Sequence, residues 1–297
     1  MIIIIDLLIP RSLDEALELM DKYSPDIKPI AGGTELLILI RDGKIPRPKY
    51  LLDLNPLRSE LSYVVVDENS VRIGALTTVF ELSKTILHRD YRFAGFSDLW
   101  KKFGTLVIRI SATIGGNVAS ATQYSDYIPL LLVYDSVVKT ISVKGERCFK
   151  LEEFIVDTRK TMLESNEIIK EIEFKVPPPR ASSSFIKFDR RNILIAGVIT
   201  GAFYLEIDDG LIKNVRIAYD MIREKRIPGR ARETEKALVN KEFSEELVEK
   251  TGYNVLSREM IRISDWWTTA EYRLEMSIVA LKHGLKTAYE RIKRGFI

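Results

Sequence analysis

Two glycine-centred stretches carry the residue types that could hold an anion. Ala31, Gly32, Gly33, Thr34, Glu35 and Leu36 form one; Thr113, Ile114, Gly115, Gly116, Asn117, Val118, Ala119 and Ser120 form the other. Glycine allows a turn with positive φ and lets N–H groups approach a phosphate with no Cβ in the way. Each stretch follows a short apolar segment, residues 28–30 and 108–110. A helix start at Glu35 would aim its positive dipole end at the same negative charge. Singly, each stretch is an ordinary turn. Together they read as two halves of one cradle for a diphosphate, and that reading requires them to meet in space.

Other chemistry is thinly supplied. Cys148 is the single cysteine, which excludes an internal disulfide and excludes this chain alone supplying the thiolates of an iron–sulfur cluster. His88 and His283 are the two histidines and lie far apart in sequence, so neither a metal site nor a Ser-His-Asp arrangement is expected, and both read as packing or surface residues. No Gly-x-Gly-x-x-Gly opens a helix, which counts against a nicotinamide-type Rossmann unit.

The chain has 297 residues, enough for about two domains. Apolar residues make up 46% and charged residues 29%, with a net charge of +3 from interleaved signs, so nothing points to nucleic acid as a partner. Residues 1–9 are apolar but interrupted by Asp6, with no basic start and no cleavage site; they read as a buried strand, not a signal peptide or membrane span, and a cytoplasmic location is expected. A single glutamine (Gln123) and abundant Ile, Glu, Lys and Arg resemble the bias of proteins from hot environments.

The elements that must position the glycine stretches follow from periodicity. Ser12 and Glu15 have capping-box spacing ahead of a stripe formed by Leu13, Ala16, Leu17 and Met20. Residues 28–30, the helix from Glu35 and residues 50–54 complete a small α/β unit, with the first stretch at the C-terminal end of a strand, where α/β folds place ligands. Residues 63–75 read as a β-hairpin, followed by a helix starting at 77–82, a helix over 126–133 and strands over 137–143 and 168–174. Pro177, Pro178 and Pro179, followed by residues 180–184, read as a linker and domain boundary. Beyond it come a hairpin over 197–219 and helices over 231–238, 245–251 and 268–293, the last with Tyr272, Met276, Val279 and Ala280 on one core-facing stripe.

With these residues in view, the chain resembles the FAD-binding medium subunit of molybdenum hydroxylases, the group that includes aldehyde, carbon monoxide and xanthine dehydrogenases. The resemblance runs nearly end to end. It rests on both glycine stretches, Leu52-Asp53-Leu54, residues 73–78, Ser125-Asp126 with Pro129, residues 185–191, and Ala270-Glu271-Tyr272-Arg273. It implies an α+β fold: an FAD-binding domain of the vanillyl-alcohol-oxidase type over residues 1–176, in two subdomains of about 1–55 and 56–176, then an antiparallel sheet with helices over 185–297.

The resemblance also places the FAD pyrophosphate between the two stretches. Its donors would be the N–H groups of Gly32, Gly33, Thr34, Glu35, Gly116 and Asn117 and the hydroxyls of Thr34 and Thr113, with Ala31, Leu36, Ile114, Gly115 and Ser120 completing the cradle. Asp126 would accept from the ribose or adenine end, Thr77 would line the flavin groove, Ile169 would lie against the isoalloxazine, and Lys187 would be a cation near the flavin, stabilising its reduced anionic form. Read from the residues alone, Asp126 and Thr77 could equally cap helices, Ile169 could sit in a core strand and Lys187 on the surface. No catalytic residue or metal ligand is expected on this chain. The implied partners are a small [2Fe–2S] subunit and a large molybdopterin subunit in an (αβγ)2 assembly. Trp266 and Trp267 could be subunit contacts or core. The sequence departs from the family's pattern at residues 107–111, at 191–196, and at Ala218-Tyr219-Asp220, which stands where a Gly-Gly pair is common.

Overall fold

The computed structural model describes residues 6–189, 197–266 and 268–295. The expectations that fall on residues 1–5, 190–196 and Trp267 lie outside the described residues.

The chain opens with β1 (Asp6–Leu8), α1 (Leu13–Tyr23), β2 (Ile27–Ile30), α2 (Leu36–Arg41) and β3 (Tyr50–Asp53). β3 lies between the other two strands and is parallel to both. Ala16, Leu17 and Met20 bury the predicted stripe of α1. The expected capping box is only half formed: the Ser12 hydroxyl accepts from the Glu15 N–H at 3.2 Å, but the Glu15 carboxylate turns to the Arg11 N–H at 2.6 Å. The first glycine stretch leaves the C-terminal end of β2, as α/β geometry requires of a ligand loop.

α3 (Arg58–Leu61) leads to the predicted hairpin, β4 (Val64–Val66) and β5 (Ser70–Gly74), whose turn is tied by the Asp67 carboxylate accepting from the Asn69 and Ser70 N–H groups. Helices follow: α4 (Val79–Leu82), α5 (Ala94–Lys102), α6 (Leu106–Ser111), α7 (Ile114–Ser120) and α8 (Tyr127–Val133). Next come β6 (Val137–Ser142), β7 (Gly145–Lys150), α9 (Leu151–Phe154), the small pair β8 (Ile155–Asp157) and β9 (Lys160–Thr161), and β10 (Ile168–Lys175). The second sheet is antiparallel with order β4-β5-β10-β6-β7. Cys148 is exposed on its edge strand β7.

The third sheet, β11 (Ala181–Phe188), β12 (Ile199–Asp208), β13 (Leu211–Arg223) and β14 (Ile227–Arg230), is an antiparallel meander. α10 (Arg232–Leu238), α11 (Glu245–Thr251), α12 (Ser257–Glu259) and α13 (Ala270–Gly295) complete the chain. One face of this sheet puts Phe185, Ala202, Tyr204 and Ala218 into the same core as Phe96 and Leu130 from α5 and α8. The other face puts Phe203, Leu205, Ile217 and Tyr219 against Leu281 and Leu285 of α13. The sheet is therefore sandwiched between the cofactor-side helices and its own.

Two expectations are corrected. Residues 181–184 are not linker; they begin β11 and are fully buried. Their hydroxyls find main-chain partners on neighbouring elements: Ser182 donates to the Tyr91 carbonyl at 2.6 Å, Ser183 accepts from the Gly95 N–H at 2.9 Å, and Ser184 donates to the Gly284 carbonyl at 2.8 Å. Small polar side chains let helices approach both faces of the strand while leaving no orphaned hydroxyl. On α13 the buried stripe centres on Leu274, Ile278, Leu281 and Leu285; of the predicted face, Ala280 is buried and Met276 packs against the core, but Tyr272 is 53% exposed. Among the described residues no helix is long and apolar enough to cross a membrane.

Candidate cofactor site

The two glycine stretches meet. A Cβ built on Gly32 would lie 1.8 Å from the Ser111 carbonyl oxygen and 3.1 Å from the Ala112 nitrogen, so only glycine lets β2's loop pass the junction of α6 and α7. Gly33 has φ +66°, the left-handed conformation that turns the chain into α2. The loop is held from behind: Asn55 donates through Nδ2 to the Ala31 carbonyl (3.2 Å) and to the Asp53 carboxylate (2.7 Å), and the Leu54 N–H bonds to the Ile30 carbonyl (2.9 Å). The Leu52-Asp53-Leu54 landmark thus acts as the loop's buttress.

The walls differ in what they offer. Among the described residues, the N–H groups of Gly32, Gly33, Thr34 and Glu35 and the Thr34 hydroxyl donate to no protein acceptor. On the second wall, the N–H groups of Ile114 and Gly115 bond to the Thr77 and Ala75 carbonyls at 3.0 and 2.9 Å. Gly116 donates to the Thr113 hydroxyl oxygen at 3.1 Å, and Asn117 to the Thr113 carbonyl at 2.9 Å. The expected donors Gly116 and Asn117 are therefore engaged in starting α7, which docks on the end of β5. Main-chain donors without a protein acceptor among the described residues thus lie on the first stretch, and the chain leading into the second stretch meets it at Ser111 and Ala112. That donor set fits a diphosphate.

Other expected residues are accounted for as follows. The Thr77 hydroxyl accepts from the Tyr63 N–H (3.0 Å) and donates to its carbonyl (2.9 Å), so its one proton is committed; the capping role falls to Thr78, which forms a full box with Glu81. The Ser120 hydroxyl donates to the Asn117 carbonyl at 2.9 Å and lies 3.0 Å from the Ser125 hydroxyl. Asn117 Oδ1 accepts from the Tyr127 N–H at 3.2 Å, joining α7 to α8. Ile169 is buried in β10 beside a bulge in its pairing with β6.

Asp126 does not cap α8 through its side chain. Its Oδ2 lies 2.7 Å from Lys187 Nζ, with both side chains under a tenth exposed. Lys187 is thus not a surface lysine. Burial raises the Asp126 pKa, and the lysine ammonium pulls it back down. Near this pair lies Asp220, also buried, whose Oδ1 has no partner among the described residues; burial pushes its pKa up to about 7 against hydrogen bonds from Thr200.

Arg159 was not foreseen. It stands at φ +61° in the turn between β8 and β9, bonds through its N–H to the Ala121 carbonyl (2.9 Å), and forms an ion pair with Glu35 across the cleft. Its charge offsets a carboxylate that would otherwise repel an anion at the free amides. Neither histidine enters the site. His283 is exposed, and His88 packs beside Phe96 and Trp100 with its pKa lowered to about 4 by burial.

The family model for the FAD binding domain in molybdopterin dehydrogenase matches residues 4–178, and that for the CO dehydrogenase flavoprotein C-terminal domain matches residues 183–288. The chain belongs to the FAD-binding subunits of the molybdopterin dehydrogenases. It is 33% identical over 205 residues to the nicotinate dehydrogenase FAD-subunit of Eubacterium barkeri, covering 67% of this chain and 68% of that one. It is 28% identical to the glyceraldehyde dehydrogenase medium chain of Sulfolobus acidocaldarius, covering 90% and 92%. The carbon monoxide dehydrogenase structure from Hydrogenophaga pseudoflava superposes with a TM-score of 0.89 at 25% identity, covering 98% of this chain and 99% of that one. The family's cofactor on such a chain is FAD, and the chain is a flavoprotein subunit of an oxidoreductase.

Proposed function

We propose that this chain carries electrons within a heteromeric molybdenum hydroxylase of aldehyde type, receiving them from [2Fe–2S] clusters on a small partner subunit and releasing them to an external acceptor. The observation that carries this reading is the meeting of the two glycine stretches beside four free amides. FAD, when bound, supplies the exchange between one-electron and two-electron transfer. The chain's own residues bind and orient it. The amides of Gly32, Gly33, Thr34 and Glu35 and the Thr34 hydroxyl take the diphosphate, while Gly115, Gly116 and Asn117 shape the opposing wall. Asp126 at the start of α8 and Lys187 on β11 form a buried pair, and Ile169 is buried in β10.

Two features support partners holding the other cofactors. One cysteine cannot ligate an iron–sulfur cluster, and Trp266, 80% exposed, offers an aromatic anchor of the kind enriched at interfaces. The 90% coverage by the Sulfolobus medium chain favours an aldehyde as the substrate class of the complex. Domain limits of 1–176 and 185–297, a heterotrimer doubled to (αβγ)2, a cytoplasmic location and a heat-adapted source complete the reading. Co-expression with the neighbouring subunits is expected to yield one complex whose flavin absorbance bleaches when an aldehyde is added. A chain that purifies alone and reduces its flavin with substrate unaided would overturn the reading in favour of a self-contained flavin oxidoreductase.

A further inference from the structure

On the face of the third sheet turned toward α8, Ser183 meets the Tyr134 hydroxyl, Arg216 reaches the Val133 carbonyl, and a further polar row crosses the strands. Lys187 on β11 pairs with Thr200 on β12, and the β12–β13 ladder ends at Gly201–Tyr219, one residue before Asp220. There Asp220 comes beside Thr200, whose N–H and hydroxyl act to lower the carboxylate's pKa. Asp126, at the start of α8, faces this row and binds Lys187. The buried ammonium is thus paired with Asp126, while Asp220 feels both charges without an ion pair of its own among the described residues. All three residues are under a tenth exposed, and Asp220 Oδ1 lacks a partner among the described residues. An uncompensated buried charge is costly, so such a group holds a proton instead.

Among the described residues, Lys187 is the cation that acts on Asp220, and the Asp126 charge opposes it. α8 brings Asp126, β11 brings Lys187, and β12 brings Thr200. Arg230 of β14 is paired with Glu235 and Asp135, and Arg226, after β13, with Asp265. The chain on either side of Asp126 is tied to the cofactor cradle. Asn117 and Ser120 of the second wall bond to Tyr127 and Ser125, the residues flanking Asp126.

We propose that Asp126, Lys187 and Asp220 form a proton-holding cluster linked to the charge in the cradle, so that binding the FAD dianion shifts the Asp220 carboxylate toward its protonated form, with net proton uptake from solvent. This rests on the FAD reading above. Negative charge nearby favours the neutral acid, so the Asp220 pKa rises on binding, and by linkage affinity falls as pH climbs through and above neutrality. A one-unit rise corresponds to about a tenfold total loss of affinity across that range.

The test is calorimetric titration of the apo full-length chain with FAD at pH 6.5 to 8.5, in buffers of different ionisation enthalpy. Wild type is expected to take up a fraction of a proton, greatest just above pH 7, and to weaken by roughly three- to tenfold with rising pH. Asp220→Asn, which keeps size and fold, is expected to bind with no such uptake and a flat profile. In the apo chain, infrared difference spectra should show a carboxylic acid band titrating near neutrality that Asp220→Asn removes. Saturable FAD binding with equal proton uptake in wild type and Asp220→Asn overturns the proposal. Absence of saturable binding in wild type overturns the FAD reading instead, and an apo titration without that carboxylic acid band overturns the cluster independently.

Discussion

A methyl group at position 32 would collide with the Ser111 carbonyl, and backbone cannot swing aside as a flexible side chain can. Gly32→Ala is therefore expected to part the two walls and to weaken FAD binding by about tenfold or more, roughly 1.4 kcal/mol, with the circular dichroism spectrum retained; flavin fluorescence quenching reads the affinity. Arg159→Ala should also weaken binding, more at low salt than high, because it leaves the Glu35 charge unopposed beside the amides. Adding Glu35→Gln to that variant should restore most of the loss, a coupling that a double-mutant cycle measures. Asp220 makes a third prediction, on stability. Its folded-state pKa of about 7 lies above that of an unfolded aspartate, so its contribution is full below the unfolded value near 3.9 and lost as pH rises through 7. Urea midpoints should fall between pH 5 and 8 in wild type and fall less in Asp220→Asn. At this scale the sequence made Gly32 and Gly33 legible because glycine pairs announce backbone chemistry. It hid Arg159 and Asp220, whose roles depend on contacts 124 residues away and on a strand register respectively.

Helix α13 is fastened to α5 by a bidentate pair: Arg291 reaches both carboxylate oxygens of Asp98 at 2.7 Å and the Ser183 carbonyl at 2.8 Å. Both side chains are largely shielded, at 25% and 16% exposure, so Arg291→Ala should cost on the order of 2 kcal/mol and lower the urea midpoint without changing its slope. Most elements were readable from periodicity, including both hairpins and α1. The start of β11 was not, because a serine run beside three prolines has the composition of a linker. What makes it strand is tertiary: helices on either side accept or donate to each hydroxyl. The α13 stripe was partly misplaced for a related reason. Arg273 is buried there, holding the Val198 carbonyl at 3.0 Å and the Asp265 carboxylate at 3.0 Å, and a charged residue does not announce itself as core.

Across the whole molecule, the third sheet and the second subdomain share one apolar core, with Phe185, Tyr204 and Ala218 interleaved among Phe96, Leu130 and Val133. A fragment ending at residue 178 would expose that surface. It is expected to aggregate or to bind a hydrophobic dye, whereas the full chain should melt these two parts in a single transition by calorimetry. The proline run thus marks a change of sheet within one shared apolar core. Composition could locate the change but not reveal the shared core, since shared packing leaves no local mark.

The exposed position of Cys148 on the outermost strand of the second sheet has a practical corollary. As the chain's sole thiol, it is a ready attachment point for a maleimide fluorophore, giving a distance reporter to the flavin with no need to remove competing sulfhydryls first.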